Sequence, residues 1–195
     1  MNPSLLAIVP LLVLALAAGT SASEDLRSGV FNPPRVAPDF LLQGSDGSQF
    51  KLSRYRGKVV ALGFGYTSCP DVCPTTLLDL AQVRKKLGTS DKEFQVVYVT
   101  VDPERDSVQR LRQYLAVFDP AFIGATGTPE QLAEVRKDYG ILASKQNFEG
   151  SKSGYLVHHS SFVYLIDRTG NLRAMMPFGG SLDDFEHDVT VLLKR

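Results

Sequence analysis

The 195-residue chain has no tryptophan, only two cysteines and only three histidines. That scarcity excludes a multi-zinc or iron–sulfur protein, whose closed centres take about four ligands each. Net charge is also missing, with 21 Lys and Arg against 21 Asp and Glu. A bulk electrostatic grip on nucleic acid or acidic lipid is therefore not provided for. Without tryptophan a base-stacking platform would fall to Tyr and Phe, and no stripe of basic and aromatic residues occurs. The 16 glycines and 11 prolines are too few for a fibrous or low-complexity chain. Charge is absent altogether before Glu24.

What is present suits a folded domain: 44% hydrophobic and 22% charged residues, at a length that gives one core plus a short appendage. Leu5 to Ala18 is wholly apolar but short against the roughly 20 residues of a membrane span. Small residues follow to Ala22 and Ser23, resembling a signal-peptidase site. Residues 1–22 are read as a signal peptide or a retained membrane anchor, with a buried N-terminal helix as the bland alternative. Residues 23–38, with Pro33, Pro34 and Pro38, read as a tether, and 39–195 as the domain. Either export reading places that domain in an oxidising, extracytoplasmic space such as the periplasm.

Within the domain, residues 40–52 predict a hairpin closed by Asp46-Gly47. Val59–Tyr66 and Phe94–Val101 are apolar runs suited to buried strands. Helical spacing marks 75–87, 107–118 with Ser107 as cap, 129–139 with Thr128 as cap, and 182–193. Residues 143–155 are polar and suggest an exposed hairpin or loop, and 161–176 an antiparallel hairpin. Strands alternating with helices argue for a βαβ core with parallel pairing.

Cys69 and Cys73 lie between the first buried strand and the first long helix, in Cys69-Pro70-Asp71-Val72-Cys73-Pro74. If the segment is helical, the four-residue offset puts both sulfurs on one face, able to form a disulfide or chelate one ion. A helix N-terminus favours thiolate. As a structural staple so short a loop contributes only about 2 kcal/mol, so redox or metal chemistry is the better reading. The strand–CxxxC–helix order suggests a thioredoxin-like fold.

Two thiolates with one imidazole suit Cu(I), admit Cu(II) and could also hold zinc. His158 and His159 adjoin the strand expected to face the cysteines. Neighbours in an extended chain point to opposite sides, so only one can aim at the sulfurs, and the residues alone leave the choice open. His187 reads as a surface residue. Asp102, Glu104 and Asp106 after the second buried strand could support the site, dock a partner, or simply form a turn with a helix cap. Met175 and Met176 read as strand packing.

Taken together, the CPxxCP segment, Val101-Asp102-Pro103-Glu104-Arg105-Asp106, and His159-Ser160 before Tyr164-Leu165-Ile166-Asp167 resemble the Sco/SenC family over residues 36–194. The resemblance implies a thioredoxin-like α/β fold: a central mixed sheet flanked by helices, with an N-terminal β-hairpin extension. It implies Cys69, Cys73 and His159 as copper ligands, and Cys69 and Cys73 as a redox-active pair. His158 stands where the family usually has Asp. The implied role is a metallochaperone that helps assemble the copper centre of cytochrome c oxidase. The copper-bearing oxidase subunit would be its partner, with other copper chaperones or thiol reductases beside it and a membrane tether behind it. An extracytoplasmic thiol–disulfide oxidoreductase or redox sensor is the alternative. A peroxide-reducing enzyme is weaker still, since Thr67 and Cys69 have no arginine placed beside them by the sequence.

Overall fold

The computed structural model describes residues 25–88, 92–147 and 154–195, so the leader expected at 1–22 lies outside the described residues. In chain order the elements are β1 (Gly29–Val36), β2 (Leu41–Gly44), β3 (Gln49–Lys51), a 3-10 turn at Leu52–Tyr55, β4 (Val59–Gly65), α1 (Val72–Leu87), β5 (Phe94–Thr100) and α2 (Val108–Leu115). There follow β6 (Ile123–Thr126), α3 (Pro129–Asp138), β7 (Ala143–Asn147), β8 (Tyr155–His159), β9 (Phe162–Ile166), β10 (Asn171–Pro177) and α4 (Leu182–Leu193). Eight strands form one mixed sheet in the order β1-β10-β9-β4-β5-β6-β2-β3, while β7 and β8 pair apart. The result is the thioredoxin-like α/β arrangement that the motifs implied.

The parallel centre β4-β5-β6 follows from the strand–helix alternation. Every residue of β4 and β5 is buried, as expected of strands covered on both faces, which read as continuous apolar runs. Beyond β4 the pairing turns antiparallel through β9 and β10. The β2-β3 hairpin turns at Gly47, whose φ of +87° suits glycine, and β2 pairs onto β6 as an extension of the sheet edge. Helices α2 and α3 begin at Ser107 and Thr128, whose hydroxyls accept the N–H groups of Arg110 and Gln131.

Three elements differ from the sequence reading. Much of the stretch 23–38 is not a free tether: residues 29–36 are edge strand β1 on β10. Pro33 and Pro34 signal a linker, but an edge strand tolerates proline, and the ladder shifts register between Val30 and Arg35. Just before β1, the backbone N–H groups of Arg27 and Ser28 donate to the buried Asp188 carboxylate on α4 at 2.7 and 2.9 Å. Helix α1 starts at Val72 rather than Thr75, since Pro74 in the first turn gives up only an N–H that has no helical partner there. Strand β6, four residues long with a glycine inside, carries too little pattern to be read.

Parallel strands end where sites form. The chain leaves β4 into Tyr66-Thr67-Ser68-Cys69 and leaves β5 into Val101-Asp102. Both loops lie at one end of the sheet, beside the start of β9. Among the described residues no helix is long and apolar enough to cross a membrane.

Candidate metal centre

Cys69 sits in the turn after β4, and Cys73 is the second residue of α1. The sulfurs therefore meet through a turn onto a helix start, not through helical spacing. Asp71, at the cap position, makes no side-chain cap. Instead the Cys73 N–H points at the Cys69 Sγ, 3.4 Å away. The sulfur thus occupies the place of a capping oxygen, where the helix end favours negative charge.

His159 ends β8, and its Nε2 lies 3.5 Å from the Cys73 Sγ. Its Nδ1 is 3.0 Å from the Ser160 carbonyl oxygen. A proton on Nδ1 satisfies that carbonyl and leaves the Nε2 lone pair facing the sulfurs. The ligand atoms of Cys69, Cys73 and His159 all lie within 4.8 Å of one another, and no other such trio occurs among the described residues. His158 faces the other way, with Nε2 on Gln146 Oε1 across the β7-β8 hairpin. His187 is remote from the site and meets the Asp25 carbonyl oxygen.

Both cysteines are free thiols; Cys73 is buried and Cys69 half-buried. Their acidities split. The Cys69 thiol is held down at about 4, first because the Cys73 thiol donates to its sulfur; burial opposes this, and the N–H groups of Asp71 and Cys73 assist. The Cys73 thiol is pushed far up, first because its proton bridges to Cys69 and then by burial. One proton shared between two sulfurs and an imidazole is a set a soft cation displaces readily. The donors fit copper, and a fourth ligand for closed structural zinc is not supplied by another Cys, His, Asp or Glu in the trio's group.

The supporting shell was only partly readable. Tyr66 packs edge-on to the His159 ring at 5.9 Å and accepts the Val157 N–H at 3.2 Å, fixing β8 beside the turn. Arg105 lies over the rings of Tyr155 at 3.8 Å and Tyr66 at 5.5 Å, and its Nε donates to Asp102, which also accepts the Tyr155 hydroxyl at 2.7 Å. Asp106 is wholly buried and accepts from the Thr67 N–H and hydroxyl and from the Thr100 hydroxyl. Its pKa is raised because burial outweighs those donors. Asp106 thus ties the β5 loop to the segment before Cys69 and Asp102 ties it to Tyr155 on β8, while Glu104 stays exposed and pairs with Lys145. Arg110 does reach Thr67, 3.1 Å from Nε to Oγ1, but the Thr67 hydroxyl already gives its proton to Asp106 and has none for a peroxide. Met176 is buried in the core and Met175 packs against it, as strand packing requires. In the sequence Tyr66 and Tyr98 signal nothing beyond the apolar strand runs they belong to, because their partners at the site, His159 and Cys73, lie on other elements.

Known proteins resemble this chain in sequence and in fold. The SCO1/SenC family model matches residues 30–194. An SCO2-like protein of Rickettsia conorii is 34% identical over 136 residues, 70% of this chain and 66% of that protein, so the match spans just under two thirds of the relative. The crystal structure of Arabidopsis thaliana ScoI with copper bound is 33% identical, with a TM-score of 0.74, covering 82% of this chain and 99% of that one. Yeast Sco1 with copper bound is 29% identical, with a TM-score of 0.72, covering 83% and 90%.

Proposed function

The chain belongs to the SCO1/SenC family, and on that premise we propose that it is a copper metallochaperone. Copper is its cargo, held by Cys69, Cys73 and His159 and passed to the copper-bearing subunit of cytochrome c oxidase. The observation that carries the reading is the convergence of two sulfurs and one imidazole nitrogen within 4.8 Å. Thiolates alone suffice for Cu(I), and the imidazole adds the harder nitrogen that Cu(II) prefers. The Cys69 sulfur is already ionised at neutral pH, so loading needs to expel only the proton on Cys73. Half-exposure of Cys69 beside buried Cys73 gives an incoming thiolate ligand one sulfur to approach while the other stays bound. A place outside the cytoplasm, with residues 1–22 as export signal or anchor, completes the proposal.

A second reading, thiol–disulfide exchange, is favoured by the same split: one ionised, accessible sulfur and one buried sulfur able to resolve a mixed disulfide. The two roles are compatible, because loading requires the dithiol.

The test is copper stoichiometry. The reduced protein should retain one copper per chain through desalting against a competing chelator. Cys69→Ser or Cys73→Ser should lower that affinity at least about a hundredfold, the loss of one ligand of three. One tightly held copper in the double Ser variant would place the metal elsewhere.

A further inference from the structure

Tyr98 is a buried side chain whose hydroxyl has no assigned task. It lies on β5, 2% exposed, and its Oη meets no oxygen or nitrogen partner among the described residues, the Cys73 sulfur being the polar group it faces. A buried unpaired hydroxyl costs about 1–3 kcal/mol and calls for a reason. The backbone provides the route to one. Tyr98 pairs with Gly63 on β4, and the ring lies 3.5 Å from where a Cβ on Gly63 would stand. Two residues on, a Cβ on Gly65 would stand 1.9 Å from the Tyr98 Oη and 2.7 Å from the Cys73 Sγ. The hydroxyl–sulfur separation can be no longer than those two legs laid end to end. Gly65 thus leaves open the one gap through which the phenol reaches the sulfur. Tyr98, Cys73 and His159 also line one narrow cavity with Thr76 and Phe162.

We propose that Tyr98 is a positioning residue for the metal centre, its hydroxyl donating to the Cys73 sulfur when that sulfur is electron-rich. The donor favours the dithiol and the metal-bound thiolate over the disulfide, whose sulfurs are poorer acceptors. It also withdraws electron density from the sulfur–copper bond, a recognised lever on metal–thiolate sites. The inference rests on the copper reading for its second readout but not for its first.

The experiment is Tyr98→Phe, which keeps the ring and deletes only the oxygen. The metal-free protein is equilibrated with glutathione and its disulfide. The Cys69–Cys73 pair, one thiolate and one thiol at neutral pH, gives up two electrons and one proton as the S–S bond forms, and glutathione disulfide takes up the electrons, that proton and one from solvent to become two thiols. Removing the donor should raise the equilibrium constant for oxidation roughly fivefold to tenfold. In the Cu(II)-loaded protein the sulfur-to-copper absorption band should move to longer wavelength. Denaturant stability of the oxidised variant should not fall below the wild-type value, because no disulfide-state hydrogen bond is lost and a buried unpaired hydroxyl is removed. Tyr114→Phe, which deletes another buried unpartnered hydroxyl on α2, should leave the glutathione equilibrium unchanged. A wild-type equilibrium constant in Tyr98→Phe, or an equal shift in Tyr114→Phe, would overturn the assignment. If the wild type forms the disulfide but binds no copper, the copper reading fails while the glutathione shift still decides the role of Tyr98.

Discussion

Cys69 and Cys73 have the same side chain and opposite tasks, and the difference comes from where their shared proton rests. Folding lowers the Cys69 pKa from 9.0 to about 4, so the thiolate is the folded form at neutral pH. The sign follows: the ionised state is lost only as pH falls through the folded value, not through the free-thiol value. Iodoacetamide should therefore modify Cys69 at a nearly constant rate from about pH 8 down to about pH 6, falling off toward pH 4. Cys73 should be spared throughout, which peptide mass spectrometry can read. Modification of both cysteines only above pH 8 would contradict the split. The two histidines divide just as sharply. His159→Ala should remove nitrogen coupling from the Cu(II) paramagnetic resonance spectrum and weaken Cu(II) more than Cu(I), which two thiolates still hold. His158→Ala should alter neither, since its ring faces Gln146. The cysteines were legible because their spacing is local. Tyr98 was not, because its meaning depends on two glycines over 30 residues earlier on a neighbouring strand.

Among the elements, the loop after β5 does the most to hold the site. Asp106 binds Thr67 and Thr100, so that segment cannot drift from the turn that carries Cys69. Asp106→Ala removes the acceptor and leaves buried donors unpaired, and should lower stability by about 2–4 kcal/mol in urea titration. It should also loosen copper binding even though Asp106 lies outside the ligand set. Wild-type values for both would mean the loop is held some other way. The caps at Ser107 and Thr128 were readable from sequence because they act over three residues. The start of α1 was not, since Pro74 looks like a barrier but occupies a first-turn position where it costs no helical bond. Strand β6 is fixed by its neighbours β5 and β2, which no local pattern reports.

At the scale of the whole molecule, the sheet order places the cysteine-bearing turn and the start of β9, just after His159, at one end, and the parallel β4-β5 pair of that order followed from alternation alone. The far edge did not. Strand β1 runs antiparallel to β10, with Gly29 opposite Met175 near the end of the sheet that carries the site. Asp188 grips the two residues before it. A sixteen-residue tether at 23–38 would be a leash of roughly 55 Å, whereas with residues 27–36 built into the fold only 23–26 remain, roughly 14 Å at full extension. For a chain whose apolar leader stays in a membrane, the domain then rides close to the lipid surface and sweeps a small volume. If copper delivery is its role, recipients must come to it within that reach, so lengthening the stretch before Asp25 with flexible residues should change delivery to a membrane-bound acceptor while leaving copper affinity in solution untouched.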